Sequence, residues 1–391
     1  MSLLRNWSQW RQFKNLSWEW RNIVIYSESG QDWHHFAPII NDLTNHLQRQ
    51  VCYVTSDPAD PGLRQQNDRL KSVCIEEGWF RTIFFQVGQA DTLVLTMMDL
   101  GNLDLKRSLY PVYYTYIFHG MGSTHMVDFE NSYDNYDGIF CVGPHQVAEI
   151  RKREALKHLP RKDLFEHGYH RLEQLMEEAR GKNLMYQANV KPVILIAPTW
   201  GEDSTFNRCG EELIEVLLTA GFHVIMRPHY HTLRLSPGLC EGIAGRYLEH
   251  EDFEYIDRMG ENESLFRSHV LISDWSAMAI EYALGLEKPV LFIDLPRRIR
   301  NENWQELDLE PIESSIRNEV GGILSPRALA EAPAQIRQLL QGQGAFRDKI
   351  NRLRQRTVFN LGSSVTVAAQ EMARLADERA QMRASGSFSH E

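Results

Sequence analysis

The amino-acid sequence predicts a two-domain α/β protein in which each domain is a doubly wound, Rossmann-like unit. Short runs of apolar and β-branched residues alternate with helix-prone stretches of about ten to fifteen residues, the pattern of parallel strands joined by crossover helices. This alternation stops in a polar segment near residue 188 and then starts again. The length of 391 residues also exceeds what one ordinary hydrophobic core can hold.

The first domain is predicted over residues 23–188. Its expected strands are short apolar runs, and the helix-prone stretch HHFAPIINDLTNHLQ follows the first of them. His34 and His35 are expected to open that helix. The apolar runs are NIVIYSESG, QVCYVTSD, RTIFFQV, TLVLTMM, PVYYTYIFHG and YDGIFCVGP.

The second domain is predicted over residues 189–340, with the strands VILIAPTW, FHVIMRPH, VLISD and PVLFIDLP. Residues 341–380 have helical periodicity, and the polar residues 381–391 predict a disordered tail. Two Rossmann-like domains that face a central cleft form the architecture of GT-B glycosyltransferases. That analogy of fold does not by itself define the chemistry.

Residues 1–22 form a distinct N-terminal segment that is rich in Trp and Arg. Large apolar side chains recur at near-helical spacing, and basic residues outnumber the single acidic Glu19. Tryptophan and cations together suit an anionic membrane surface. The alternative is a helix that packs its aromatic face on the body of the protein. The apolar residues are Leu3, Leu4, Trp7, Trp10 and Phe13, and the basic ones are Arg5, Arg11, Lys14 and Arg21.

Composition narrows the class of protein. The formal net charge of −10 argues against a nucleic-acid partner, because phosphate neutralisation needs a broad basic surface. Five cysteines without C-x-x-C spacing indicate reduced thiols. The sequence contains no apolar run of bilayer-spanning length and no signal-peptide pattern, so we expect a cytoplasmic protein, with peripheral attachment to the inner face of the membrane left open.

The first candidate site is His119, which directly follows the apolar run PVYYTYIF. In an open parallel sheet, ligands bind beyond the carboxyl ends of the strands, so this imidazole is expected at that edge. Gly120 and Gly122 would let backbone N–H groups approach an anion, and Ser123 adds a donor. The third glycine of a dinucleotide fingerprint is absent. The alternative is a structural histidine beside a tight turn.

The second candidate site repeats this arrangement, because Arg227 and His229 follow the run FHVIM. Pro228 restricts the backbone around Arg227, which would help to aim both cationic side chains. The guanidinium fork suits phosphate oxygens. The alternative is a surface arginine beside a solvated histidine.

The third candidate site is the segment VLISDWSAMAIEYALGL, in which a strand runs into a helix. Ser273, Asp274 and Ser276 precede that helix, whose N-terminal N–H groups and dipole favour an anion such as phosphate. Glu281, further along the helix, could reach a ribose hydroxyl. The alternative is simple helix capping. The sequence has no metal-ligand motif, nucleophile elbow or P-loop, so it requires no cofactor.

Taken together, the segments VILIAPTW, HVIMRPHY and LISDWSAMAIEYALGLEKPVLFID, in this order, resemble the CDP-glycerol glycerophosphotransferases. These are the primases and polymerases of teichoic-acid and capsular polyol-phosphate chains. The upstream FHGMGS and EHGYHRLEQL resemble two further family motifs. Tyr230 and Met121 depart from the family pattern, which leaves the acceptor and the donor polyol open.

The resemblance implies a GT-B-like transferase that moves glycerol phosphate from CDP-glycerol to a hydroxyl of a lipid-linked or saccharide acceptor and releases CMP. It implies that His119 is the catalytic base and that Arg227 and His229 lie at the diphosphate. Ser273, Asp274 and Ser276 would form the donor-binding loop and helix. Two alternatives stay open: a GT-B glycosyltransferase or nucleotide-sugar epimerase, and a non-catalytic nucleotide-binding scaffold of an envelope-assembly complex.

Overall fold

The computed structural model describes residues 2–102, 105–258 and 262–386. Its internal contacts separate the chain into two units. The first unit contains the chain up to Gly120, Asp128–His170 and the part from Val358 onward, and the second contains Met121–Val127 and Arg171–Thr357.

A seven-stranded parallel sheet forms the centre of the first unit, in the order β3-β2-β1-β4-β5-β6-β7. Val24 on β1 pairs with Cys52 on one side and with Leu93 on the other. The order changes direction at β1 and β4, and ligands bind beyond the carboxyl ends of the strands at such a point. The strands are β1 (Ile23–Ser27), β2 (Val51–Thr55), β3 (Leu70–Cys74), β4 (Thr92–Leu95), β5 (Tyr113–Ile117), β6 (Gly138–Cys141) and β7 (Asp163–Glu166).

Helices from both ends of the chain cover this sheet. Phe36 and Ile39 of the helix after β1 are buried in one cluster with Ala368 and Met372 of the last helix. The helix after β1 begins at Trp33, so His34 and His35 lie in its first turn, as predicted. The helices are Ser2–Lys14, Trp18–Arg21, Trp33–Asn41 with a π-helical extension Asp42–His46, Trp79–Val87, Pro144–Lys157 and Ser364–Ser385.

The N-terminal helix packs on the first unit. Phe13 is buried edge-on against Phe84, with ring centroids 5.1 Å apart, and Trp10 stacks on Phe13. The side chain of Asn6 accepts the N–H of Glu76, just beyond the edge strand β3, at 3.0 Å. One aromatic face is therefore docked on the protein, while the large side chains of Leu3, Leu4 and Trp7 remain exposed.

One element expected among the strands is wrong. The run RTIFFQV belongs to the helix Trp79–Val87, in which Phe80, Phe84 and Phe85 are buried. Their spacing places all three on one helical face, which packs against the sheet and the N-terminal helix. A run of seven residues is too short for periodicity alone to separate a strand from a buried helix.

A six-stranded parallel sheet forms the centre of the second unit, in the order β10-β9-β8-β11-β12-β13. Ile194 on β8 pairs with Val224 on β9 and with Val270 on β11, so these three strands are neighbours. The two parallel sheets confirm the predicted α/β class. The strands are β8 (Val193–Ile196), β9 (His223–Met226), β10 (Phe253–Tyr255), β11 (Val270–Ser273), β12 (Val290–Ile293) and β13 (Gly321–Leu324).

The helices of the second unit begin earlier in the chain than the polar segment near residue 188. Leu172 and Leu175 of the helix His170–Ala179 lie against Gly285, where a Cβ atom would come within 2.8 Å of Leu175. The remaining helices are Thr205–Arg208, Gly210–Thr219, Tyr230–Leu235, Pro237–Gly245, Glu263–Arg267, Ala277–Leu286, Ile312–Ser315, Arg317–Val320, Ala332–Gln341 and Gln343–Thr357.

The C-terminal end of the chain differs from the expected disordered tail. Residues 381–385 continue the last helix, because Arg383 forms a bidentate ion pair with the buried Asp91 and lies over the ring of Trp18. Residues 387–391 of the predicted tail lie outside the described residues.

Candidate active site

His119 lies just beyond the carboxyl end of β5 in the first unit, as the sequence predicted. Its side chain is exposed, and the hydroxyl of Tyr169 donates a hydrogen bond to its backbone carbonyl at 3.0 Å. The backbone at this position is therefore fixed while the imidazole stays accessible. Gly120 follows, and a Cβ atom there would meet no atom within 4 Å.

The surroundings of His119 contain a carboxylate and other histidines. Desolvation lowers the pKa of His119, the nearby charge of Asp32 raises it, and His34 lowers it. The ring of His35 lies 5.8 Å from the His119 ring and 5.8 Å from that of His170. Because the pKa is lowered overall, the imidazole is neutral at pH 7 and can accept a proton.

Asp32 follows β1, at the point where the strand order changes direction. Desolvation raises its pKa, against the effects of His119 and of the hydrogen bond from the Ser27 hydroxyl at 3.2 Å. Sequence analysis missed Asp32, although an acidic residue directly before a helix that begins WHH was a usable signal.

Gly122 and Ser123 belong to the second unit, and their backbone meets a carboxylate of the chain itself. The N–H of Ser123 donates to Glu313 Oε1 at 2.8 Å, and a Cβ atom at Gly122 would lie 2.7 Å from that oxygen. His125 is held by the same region, because its Nε2 lies 3.1 Å from the carbonyl of Leu309. The carboxylate of Glu313 therefore occupies the position beside Gly122 and Ser123 at which a ligand anion was predicted.

Arg227 and His229 lie beyond the carboxyl end of β9, as predicted. Arg227 is buried and donates to the hydroxyl of Ser264 at 3.1 Å. His229 caps the helix Tyr230–Leu235, and its Nδ1 accepts the N–H of His231 at 3.0 Å. Desolvation, His231 and Arg298 lower the pKa of His229 to about 4. The neutral ring then carries its proton on Nε2, which is available as a donor.

Ser273 and Asp274 lie at the end of β11 and are almost fully buried. The hydroxyl of Ser273 donates to the carbonyl of Ala197 at 2.9 Å. The carboxylate of Asp274 accepts four hydrogen bonds, from the N–H of Thr199 and of Trp275 and from both the N–H and the hydroxyl of Thr205, at 2.7–3.0 Å. These two side chains hold the loop after β8, and their oxygens are engaged by the protein.

Ser276 caps the helix Ala277–Leu286 by accepting the N–H of Met278 at 3.3 Å, and Glu281 lies partly buried further along that helix. The helix has ten residues, so its N-terminal dipole adds to the positive potential at this edge of the sheet.

Sequence analysis missed several basic and aromatic residues at the same edge. Arg298 donates to Thr199 at 2.7 Å and lies 4.3 Å from the ring of Trp200. Arg317 is buried 4.3 Å from the ring of Trp275 and donates to Asp294 at 3.0 Å. The signal for Arg298 was the sequence RRIR directly after the strand PVLFIDLP.

The second unit thus gathers Arg227, His229, Arg298 and Ser276 beyond the ends of β9, β11 and β12, while His119 stands in the first unit. Within the described ranges, no group of three or more His, Cys, Asp or Glu side chains could hold a metal ion. None of the helices described is long and apolar enough to cross a membrane.

Residues 119–295 match the family of CDP-glycerol:poly(glycerophosphate) glycerophosphotransferases. This match confirms the resemblance found in the sequence, over the segment that contains all the predicted site residues. No curated protein matches the sequence.

Solved structures share the fold at low sequence identity. The wall teichoic acid polymerase TagF, in a structure with CDPG, is 14% identical, with a TM-score of 0.59 over 96% of this chain and 95% of that one. A UDP-N-acetylglucosamine 2-epimerase from Listeria monocytogenes, assigned as putative, is 12% identical, with a TM-score of 0.56 over 94% and 98% of the two chains. A glycosyltransferase from Rickettsia africae is 11% identical, with a TM-score of 0.54 over 91% and 98%. These neighbours confirm the GT-B-like fold.

Proposed function

We propose that the protein transfers a polyol phosphate from a CDP-activated donor to an acceptor hydroxyl, a proposal supported by the match of residues 119–295 to the CDP-glycerol:poly(glycerophosphate) glycerophosphotransferase family. Glycerol is the expected polyol, and a lipid-linked or saccharide molecule of cell-envelope or capsular polymer synthesis is the expected acceptor. The observation that carries the proposal is that Arg227, His229, Arg298 and the start of the helix Ala277–Leu286 all follow the carboxyl ends of strands of the second sheet, with Arg298 close enough to His229 to lower its pKa.

The proposed reaction is a displacement at phosphorus. The acceptor oxygen attacks the glycerol-bearing phosphorus, and the bond from that phosphorus to the bridging oxygen breaks. CMP departs with the electron pair, and the proton of the acceptor hydroxyl moves to His119. A neutral imidazole suits this step, and the lowered pKa of His119 keeps it neutral at pH 7.

The donor's phosphates need charge stabilisation as CMP departs. Arg227 and Arg298 offer guanidinium groups, and His229 offers its Nε2–H. Asp274 and Ser273 are assigned the role of positioning the loop after β8. The Asp274 carboxylate accepts the N–H of Thr199, and the Ser273 hydroxyl donates to the carbonyl of Ala197. Glu281 is assigned to a ribose hydroxyl as a further part of the proposal.

The test is release of CMP from labelled CDP-glycerol with a lipid-linked saccharide acceptor and the full chain. We expect acceptor-dependent release. Thermal shift with CDP-glycerol, CDP-ribitol and UDP-N-acetylglucosamine then separates the donors, because a ligand stabilises the native state according to its occupancy. Stabilisation by UDP-N-acetylglucosamine alone, without CMP release, would instead favour a glycosyltransferase or epimerase.

Peripheral attachment to an anionic membrane is the second part of the proposal. Leu3 and Leu4 are 70% and 80% exposed, and Trp79 at the start of a second helix is 67% exposed. Trp7 and Trp79 both lie against Phe80, with ring centroids 6.4 and 5.2 Å away, so these side chains form one patch. Arg5, Arg11 and Lys14 add positive charge on the same helix.

Co-sedimentation with liposomes that contain anionic lipid tests the attachment. Leu4→Ser combined with Trp79→Ser should reduce the bound fraction severalfold, because it removes two exposed apolar side chains and leaves the buried residues Phe13, Phe80 and Phe84 in place. Val190→Ser, at an exposed apolar position of the second unit, is the matched control. Equal sedimentation of all three proteins would contradict membrane attachment through this patch.

A further inference from the structure

A polar depression on the first unit lies apart from the candidate catalytic residues. It has a volume of about 380 Å³ and lies between the helix that begins at Trp33 and the loop that enters β3. Its volume falls within the usual range for small-molecule sites. Five of its nine lining residues are carboxamides, namely Asn41, Asn45, Gln65, Gln66 and Asn67.

This lining has the chemistry of a site for hydroxyl groups. A carboxamide both donates and accepts hydrogen bonds, as a hydroxyl does, whereas a phosphate needs donors and positive charge. The two charged lining residues, Asp68 and Arg69, have opposite sign, so the depression carries no net formal charge. A neutral ligand with many hydroxyl groups therefore matches it better than an anion.

Part of the lining is already held in place. Asn67 donates to Thr44 at 2.9 Å and accepts the N–H of Arg69 at 2.8 Å, and Gln65 donates to the carbonyl of Pro61 at 3.0 Å. The exposed side chains of Asn41 and Gln66 make no hydrogen bond to any other residue that the structure describes. They can turn their amides to a ligand without breaking a hydrogen bond within the described part of the chain.

Trp33 also lines the depression, and its ring packs into the protein. The indole is held edge-on to Tyr53 at 5.1 Å, and a Cβ atom at Gly62 would lie 2.7 Å from the ring, so glycine there allows close packing. Because the exposed lining is mainly polar, hydrogen bonds to the carboxamides are the contacts that a sugar or polyol would make here. Trp33 also stands in sequence between Asp32 and His34, the two groups that act on the pKa of His119.

We propose that this depression binds a neutral, hydroxyl-rich part of the acceptor, a saccharide or polyol unit, while another hydroxyl of the same acceptor meets His119. The assignment of an acceptor rests on the proposed transferase function. Binding of a neutral saccharide or polyol does not, because it can be measured without the reaction.

Saturation-transfer NMR on the full chain tests binding with two probes, an N-acetylglucosamine disaccharide and ribitol. We expect signal from one of them, and the responding probe distinguishes a saccharide from a polyol. Asn41→Ala combined with Gln66→Ala should weaken binding of that probe about tenfold, because two hydrogen bonds to it are lost. Gln355→Ala, an exposed amide on a helix of the second unit, should leave binding unchanged.

The KM for the lipid-linked acceptor, measured by CMP release, tests whether the depression serves the transfer reaction as well as binding a saccharide or polyol. Loss of probe binding together with a raised acceptor KM in the double variant supports the inference. No binding of either probe to the unaltered chain, or unchanged binding and KM in the double variant, overturns it. Probe binding that depends on Asn41 and Gln66 in a chain that releases no CMP would overturn the proposed function and leave a saccharide or polyol site.

Discussion

The carboxyl-terminal edges of the two sheets carry different chemistry. In the first unit, the carboxylate of Asp32 and the ring of His35 lie near His119. In the second unit, Arg227 and Arg298 accompany His229, whose pKa of about 4 keeps it neutral. In the proposed mechanism, the same position in two related folds serves proton transfer in one unit and stabilisation of negative charge in the other.

Neighbouring charge differs between the two candidate histidines. Desolvation lowers the pKa of both; at His119 the carboxylate of Asp32 opposes that effect, whereas at His229 the charges of His231 and Arg298 add to it. A carboxylate stabilises an imidazolium that has accepted a proton, and a neighbouring arginine disfavours it. This contrast supports the proposed roles of His119 as base and of His229 as neutral hydrogen-bond donor.

Removal of the imidazole in the first unit should have the largest effect. His119→Ala is expected to lower kcat for CMP release by about 10²-fold or more, the range for loss of a general base. The thermal midpoint should stay nearly constant, because the side chain is exposed. His46→Ala, with a side chain that is 77% exposed, is the control. Near-normal turnover by His119→Ala would show that His119 is not the base and that the first unit has no role in proton transfer through this residue.

Loss of one cation in the second unit should affect donor binding more than proton transfer. Arg298→Ala is expected to raise the KM for CDP-glycerol about tenfold, because a charge-assisted hydrogen bond contributes about 1.5–3 kcal/mol. Arg267→Ala, which breaks an exposed ion pair with Glu254, is the matched control. A change confined to the acceptor KM would contradict the division of roles.

Neutralisation of the carboxylate beside His119 should move a pH profile. Asp32 raises the pKa of His119, so Asp32→Asn should lower that pKa further. A base is active when deprotonated, and the acidic limb of kcat/KM should therefore shift to lower pH. The same substitution should not change the pH dependence of CDP-glycerol binding. An unchanged acidic limb would show that Asp32 does not act on the base.

Substitution of a buried histidine should have the smallest effect at neutral pH and should change the pH dependence of the free energy of unfolding. Burial lowers the pKa of His167 in the first unit to about 3 and that of His229 in the second to about 4. The unfolded chain binds protons near pH 6.5, before these folded sites do, so the free energy of unfolding should fall as the pH drops from about 6.5 towards 4. His167→Gln should flatten this fall in thermal melts. An unchanged slope would contradict the lowered pKa of His167.

Local patterns in the sequence predicted most of the framework. The strands that end before His119, before Arg227 and before Asp274 were found from apolar runs, because burial on both faces leaves a direct signal. The helix Trp79–Val87 was missed because its apolar run was too short for its period to be recognised. The roles of Gly122 and Ser123 could not be read locally, because their partner Glu313 stands 190 residues from Ser123 along the chain.

The sequence by itself determined the two parallel sheets, the positions of the candidate histidines at the ends of their strands, and the family that the segment 119–295 matches. The tertiary structure decided which groups stand beside each histidine. It brought Asp32 near His119 and Arg298 near His229, and it saturated Asp274 with four hydrogen bonds. Strand burial follows from residues next to one another, whereas pKa values and hydrogen-bond saturation depend on residues that only folding brings together.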